Sequence, residues 1–70
     1  MTERHVVRDH AEGKWKVVDA STGETESRTR TQAGAIAEAA AKARRTGGGD
    51  VFIHGFDGEV NEKRTVEPGT

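Results

Sequence analysis

His54 is the residue whose type and position most invite a chemical role. It precedes Gly55 and an Asp57-Gly58 pair, and a histidine near a carboxylate is a common acid–base arrangement. Asp57 is accounted for by the tight turn that Asp-Gly predicts, and no Ser, Cys or second His is obviously placed by the sequence to complete a nucleophilic constellation. We therefore predict a structural His54 and no catalytic residue, with a small hydrolase-like enzyme using His54 as a third interpretation.

Metal and phosphate sites are not predicted either. The chain has three histidines and no cysteine, and no two histidines have the sequence spacing of metal ligands. Gly47-Gly48-Gly49 follows the predicted helix, whereas phosphate-binding loops place their glycines before a helix N-terminus. The sequence thus predicts no cofactor, no metal and no small-molecule ligand.

The composition describes one small domain that is short of large apolar residues. Val, Ile, Leu and Phe make up eleven of the 70 residues, and the formal net charge is -1. A chain of this size buries only about 60% of the surface that its unfolded form exposes, so association with a second copy is a natural source of stability. No apolar run is long enough for a membrane span or a signal peptide, which predicts a cytoplasmic protein.

The elements that position these residues follow from periodicity and turn signals. A helix is predicted to begin after Thr31, whose hydroxyl can cap it, and to end before Gly47. Strands are predicted at residues 4–8, 14–19, 24–30, 50–54 and 59–66, and the helix at 32–46. The polar third strand belongs at an edge of the sheet. The predicted fold is α+β with two layers, an antiparallel sheet of four to five strands and one helix packed on one face. Residues 1–66 form the domain and residues 67–70 a loose tail.

Strand alternation and turn lengths assign side chains to faces. If Gly23 ends a three-residue hairpin loop with positive φ, Ser27 lies opposite Val17, while Glu26 and Arg28 point away from the helix. The side of the sheet under the helix is predicted to carry Trp15, Val17, Val51, Ile53 and Val60. The inner stripe of the helix is predicted to be Ala33, Ile36, Ala37, Ala40 and Ala43.

The other face of the sheet is left uncovered, and we predict that it carries the function. Our first hypothesis is a non-enzymatic module that binds a protein partner or a second copy of itself through Val18, Phe52 and His54. Our second hypothesis is binding of nucleic acid, with Phe52 stacking on a base. Its phosphate contacts would be Lys14, Lys16, Arg28, Arg30 and Lys63.

Several short motifs in order resemble one known family. They are His5-Val6-Val7, Gly13-x-Trp15-x-Val17, Thr31-Gln32-Ala33 with Ala35-Ile36, and Ile53-His54-Gly55-x-Asp57-Gly58. Together, from His5 to Lys63, they are similar to domain-of-unknown-function family 2188, a set of short bacterial and phage-type proteins. The resemblance implies a compact cytoplasmic domain of the sheet-plus-helix kind and no assigned activity. The family's usual Ser-Tyr-Gly-like ending is replaced here by Arg64-Thr65-Val66.

Overall fold

A computed structural model describes residues 1–69 as a five-stranded sheet with one helix packed on it. The elements are β1 (Arg4–Asp9), β2 (Lys14–Asp19), β3 (Thr25–Thr29), α1 (Gln32–Arg45), β4 (Gly49–His54) and β5 (Val60–Val66). The predicted two-layer α+β fold is confirmed, and the polar segment of the hairpin forms β3 at one edge of the sheet.

The strand order is β3-β2-β1-β4-β5, and the sheet is mixed rather than wholly antiparallel. Three of the four strand pairs are antiparallel, as predicted, but residues 4–6 of β1 pair in parallel with residues 51–53 of β4. The helix is the reason. It leaves the edge strand β3 and runs back over the sheet, so β4 starts from the same end of the sheet as β1.

The helix begins and ends where its capping residues predict. The Thr31 hydroxyl accepts a hydrogen bond from the Gly34 backbone N–H (3.0 Å), one of the donors that the first turn leaves free. At the other end Gly47 and Gly48 have φ of 88° and 84°, and the Gly48 N–H returns to the carbonyl of Ala43 (2.7 Å). These positive φ values suit glycine and stop the helix.

The buried stripe of the helix differs from the predicted one. Ala35, Ala39 and Ala43 are fully buried against the sheet, so of the predicted stripe only Ala43 is confirmed as fully buried. Ile36 and Ala40 are partly buried, and Ala33 and Ala37 are exposed. Alanines occur all around this helix, so their spacing could not select the face that packs. With methyl groups at the contact, α1 lies close to the sheet.

The core lies between α1 and the first, second and fourth strands. Its large members are Val6, Trp15, Val17, Val51 and Ile53, each at most 8% exposed. The prediction that Trp15 is a core residue is therefore confirmed. Val60, which was also predicted in the core, is 52% exposed, and that prediction is wrong.

Both hairpins keep the predicted outer register and depart from it near the turn. In the first hairpin Val17 pairs with Ser27 as predicted, but the next pair is Val18 with Thr25, so Glu26 is an extra residue. In the second, Ile53 pairs with Glu62 and His54 with Val60, which leaves Asn61 extra. Each extra residue forms a β-bulge. The side chains between the bulge and the turn therefore lie on the opposite face of the sheet from the one predicted.

These bulges correct two predicted side-chain positions. Glu26, predicted on the uncovered face, instead reaches the helix side, where its carboxylate binds Arg4. Val60, predicted under the helix, lies across from His54 on the uncovered face. Compared with the prediction, the uncovered face therefore lacks the Glu26 carboxylate and carries the additional apolar side chain of Val60.

The end of the described chain contacts the helix. The Gly69 N–H donates to the carbonyl of Arg44 (3.0 Å). Thr70, the last residue of the predicted tail, lies outside the described residues. Among residues 1–69, no helix has the length and apolar character needed to cross a membrane.

Candidate functional site

The uncovered side of the sheet, which we call the open face, carries the strand residues that alternate with the buried core. No helix or loop of residues 1–69 packs over it, because α1 lies on the opposite side. The register places these side chains on the open face: His5, Val7, Lys14, Lys16, Val18, Arg28, Phe52, His54, Val60 and Lys63. Its centre is apolar and imidazole, and basic side chains lie around that centre together with two carboxylates, Asp9 and Asp50, at opposite ends of the face.

The predicted partner residues Val18, Phe52 and His54 all lie on this face, and His5 joins them. His5 pairs with Val18 on one side and with Phe52 on the other. Its ring stacks on the Phe52 ring, with centroids 4.9 Å apart and 15° between the planes. Sequence reasoning did not place His5 in the site, because only the parallel pairing of β1 with β4 brings it there.

A chain of hydrogen bonds runs through the two histidines. His5 Nδ1 lies 2.8 Å from His54 Nε2, and His5 Nε2 lies 2.9 Å from a carboxylate oxygen of Glu3. At the other end, His54 Nδ1 donates to the Gly58 carbonyl (3.0 Å). Both rings are thus held at both nitrogens, which fixes their orientation on the sheet.

No carboxylate of the adjacent turn contacts His54. The Asp57 side chain accepts a hydrogen bond from the Glu59 backbone N–H (3.1 Å), which is the turn role predicted for it. The partners of His54 are His5 and Gly58 instead. Asp57 and His54 therefore do not form the histidine–carboxylate pair that the sequence spacing suggested.

The predicted phosphate contacts are only partly brought together. Lys16 and Arg28 pair across β2 and β3, and Lys63 lies on the far side of Phe52. Arg28 Nε is 3.9 Å from a carboxylate oxygen of Glu12, so part of its charge is balanced locally. Arg30 follows the end of β3 and is exposed outside the strand register.

A buried ion pair on the helix side fixes the bulge of β3. Arg4, only 3% exposed, donates from Nε to one carboxylate oxygen of Glu26 (2.7 Å) and from Nη2 to the other (3.4 Å). Its Nη1 donates to the hydroxyl of Thr46 at the helix C-terminus (3.2 Å). The guanidinium therefore ties β1 to β3 and to α1.

A second aromatic cluster lies at the end of the sheet, outside the open face. The Arg8 guanidinium carbon is 5.5 Å from the centre of the Trp15 ring and 5.0 Å from that of Phe56. His10 meets Phe56 edge-on, with centroids 4.8 Å apart. Arg8 Nε is buried and has no hydrogen-bond partner among residues 1–69. Cation–π contacts hold this arginine between the two rings.

A groove of about 420 Å³ separates α1 from the edge strand β5. Its lining residues are Ala33, Ile36, Ala37, Ala40, Arg44 and Arg64. Arg64 donates from Nε to the Glu62 carboxylate (2.6 Å), and this hydrogen bond raises the pKa of Arg64. Because its polar groups are two arginines, one of which is already paired, the groove offers little for specific recognition.

The described part of the chain groups no three histidine or carboxylate side chains in a way that could hold a metal ion. The two-histidine contact on the open face is the nearest approach to such a site. Sequence spacing could not reveal it, because His5 and His54 belong to strands that become neighbours only in the folded sheet.

Comparison with known proteins gives a family and no activity. The family described as "Uncharacterized protein conserved in bacteria (DUF2188)" matches residues 4–66. No curated protein matches the chain, and no solved structure does. The match covers all five strands and the helix, in agreement with the resemblance of the short motifs.

Proposed function

The chain belongs to the bacterial family DUF2188, whose description names no activity. We propose that it is a non-enzymatic module that self-associates through the open face. One observation carries the proposal. Val7, Val18, Phe52 and Val60 stand on a sheet face that no described element covers. Apolar groups gathered on an uncovered face are typical of interaction surfaces, and here the bulge of β5 adds one of them.

The layout of charge on this face favours a second copy as the partner. Along the strands, one end of the open face carries Asp50 and also Glu3, which contacts His5, and the other end carries Lys14, Lys16 and Arg28. A two-fold axis running across the strands stacks the apolar centres and lays each acidic end against the partner's basic end. Two carboxylates lie near the basic end. Asp9 accepts hydrogen bonds from the turn amides of residues 11 and 12, and a Glu12 oxygen lies 3.9 Å from Arg28 Nε.

The size of the face sets the expected strength. Five strands about 4.8 Å apart and some 18 Å long offer roughly 450 Å² per copy, or about 900 Å² for a dimer. This is below the roughly 1,200 Å² at which stable, specific interfaces begin. We therefore expect a weak and reversible dimer whose population rises with protein concentration.

Sedimentation equilibrium over a range of concentrations tests this proposal. Phe52→Asp puts a charge at the centre of the interface and is expected to leave the protein monomeric. Phe56→Asp is the matched control, because Phe56 is 63% exposed but lies at the end of the sheet rather than on the open face. A wild type that stays monomeric at about 1 mM, or an equal effect of both variants, would contradict self-association.

A charge reversal tests the orientation of the dimer. Lys14→Glu is expected to weaken the dimer, because the acidic end of the partner then faces another carboxylate. Adding Glu3→Lys to the same chain is expected to restore it. If the double variant is weaker than Lys14→Glu alone, the proposed two-fold axis is wrong.

Single-stranded nucleic acid is the second candidate partner. The observation that favours it is that Glu26 lies on the helix side and not on the open face. Fewer carboxylates therefore oppose the basic side chains of the open face, which are Lys14, Lys16, Arg28 and Lys63. Against it, His5 covers one face of the Phe52 ring, the stacking surface that a base would need. A labelled oligonucleotide whose binding weakens steeply with salt, and also with Lys16→Glu, would favour nucleic acid over a second copy.

A further inference from the structure

We propose that His5 and His54 are the two protein ligands of a first-row transition-metal ion, held by His5 Nδ1 and His54 Nε2. The observation is the chain of contacts through the pair, in which these two nitrogens face one another at 2.8 Å. The proposal does not depend on self-association, because both ligands belong to one copy of the chain.

The outer contacts of the two rings determine which nitrogens carry lone pairs. The Gly58 carbonyl can only accept a hydrogen bond, so His54 Nδ1 carries a hydrogen. The ionised Glu3 carboxylate likewise requires a hydrogen on His5 Nε2. In the neutral rings, both inner nitrogens then present lone pairs to each other. Only a positive charge between them, a proton or a metal ion, makes this contact favourable.

The same outer contacts are those that metal-binding histidines make. A ligating histidine almost always donates its other N–H to a carboxylate or a backbone carbonyl, which orients the ring and raises its basicity. Here Glu3 supplies the carboxylate for His5, and Gly58 supplies the carbonyl for His54. Two imidazoles suit Zn²⁺, Ni²⁺ and Cu²⁺ rather than Mg²⁺ or Ca²⁺, which prefer oxygen ligands.

Metal–nitrogen bonds of about 2.0–2.1 Å in a tetrahedral arrangement place two ligand nitrogens about 3.3 Å apart. His5 Nδ1 and His54 Nε2 must therefore separate by about 0.5 Å, and both rings must tilt so that their lone pairs converge on the ion. The backbone needs no rearrangement of strand order, because β1 and β4 are already hydrogen-bonded neighbours. In the monomer, the open face leaves the remaining coordination positions to water.

Binding forms two metal–nitrogen bonds, one to His5 Nδ1 and one to His54 Nε2, in place of the contact between the rings. A proton that lies between the two nitrogens before binding passes to the buffer. No electron is transferred, so the step needs no oxidant or reductant.

Calorimetric titration with Zn²⁺ alone, in a buffer that does not bind metal, tests the site. We expect one ion per chain, with an affinity at least tenfold lower in His5→Gln and in His54→Gln. His10→Gln is the matched control, because His10 contacts Phe56 at the sheet end, and it is expected to bind as the wild type does. Binding unchanged in both pair variants, or no binding by the wild type at about 1 mM Zn²⁺, would overturn the proposal.

A third variant separates ligand loss from a folding defect. The Glu3 side chain is half exposed, so Glu3→Gln leaves the fold intact while weakening the contact that orients His5. Loss of such an outer partner typically lowers metal affinity by about 10- to 100-fold. In NMR spectra Zn²⁺ is expected to shift the ring signals of His5 and His54 but not those of His10. Equal shifts of all three rings would mean nonspecific surface binding and would also overturn the proposal.

Discussion

Removal of the Glu26 carboxylate is expected to destabilise the fold far more than an ordinary surface substitution. Glu26 is the bulge residue of β3, and its carboxylate is the only one that contacts the buried guanidinium of Arg4 among residues 1–69. In Glu26→Ala the Arg4 charge stays in the protein with only the Thr46 hydroxyl as a side-chain partner. Arg4→Met removes that charge and keeps an apolar side chain of similar length.

The magnitude follows from burial. Breaking a buried pair by removing one partner costs about 3–5 kcal/mol, but the Glu26 side chain is 24% exposed and water can enter its place. We therefore expect Glu26→Ala to lose about 2–3 kcal/mol and Arg4→Met to lose less than about 1 kcal/mol. At about 2.1 cal/mol/K of unfolding entropy per residue, 1 kcal/mol lowers the melting temperature of this chain by about 7 °C. Glu26→Ala should therefore melt roughly 14–20 °C below the wild type.

Thermal and urea unfolding followed by circular dichroism measures these differences. Glu24→Ala is the matched control, because Glu24 is an exposed glutamate of the same hairpin. Its expected loss is within about 0.5 kcal/mol. The double variant Arg4→Met/Glu26→Ala should be more stable than Glu26→Ala alone, because no buried charge is left without a partner. If Arg4→Met is the more damaging single change, or if the two losses simply add, the argument from an uncompensated charge is refuted.

Two further predictions concern the helix and the first hairpin. Ala39→Leu is expected to destabilise the protein by about 1–3 kcal/mol, because Ala39 is fully buried against the sheet. Ala37→Leu, on the exposed side of the helix, should change stability by less than about 0.5 kcal/mol. Similar losses of stability for the two variants in urea unfolding would mean that the assignment of the buried helix face is wrong. The hydroxyl and backbone N–H of Ser21 bind the Asp19 carboxylate and lower its pKa, so the resulting stabilisation is present above the unfolded value of about 3.9 and is lost as the pH falls through the folded value. In Ser21→Ala, an NMR titration should find the pKa of Asp19 closer to its ordinary value, and an unchanged pKa would exclude the hydroxyl as a cause.

The capping and turn residues were sufficient to predict the elements. The Thr31 cap and the three glycines bound the helix to within one residue. The predicted outer register of both hairpins is observed, because one bulge residue in each offsets a turn one residue longer than its signal predicts. The alternation of Trp15 and Val17 with lysines also placed the core and open faces of β2 correctly. Each of these features depends on residues that are close together in the sequence.

Three features were not predicted from these local signals. The buried stripe is formed by Ala35, Ala39 and Ala43, because α1 packs on the sheet through that side. Alanines occur all around the helix, so the sequence does not distinguish this side from the others. The two bulges place Glu26 on the helix side and Val60 on the open face, each opposite to the predicted side. In each hairpin the turn is one residue longer than the sequence signal predicts. One of these bulges is held by a pair 22 residues apart in the chain.

The sequence by itself determined a small α+β domain with one helix-covered face and one face left open, because capping, alternation and turn chemistry act over a few residues. Only the tertiary structure decided what that open face contains. The parallel pairing of β1 with β4 places His5 against Phe52 and His54. The bulges place Val60 on the open face and Glu26 on the helix side. The physical reason is that strand order and register are set by packing over the whole sheet, and each shift of one residue moves a side chain to the other face.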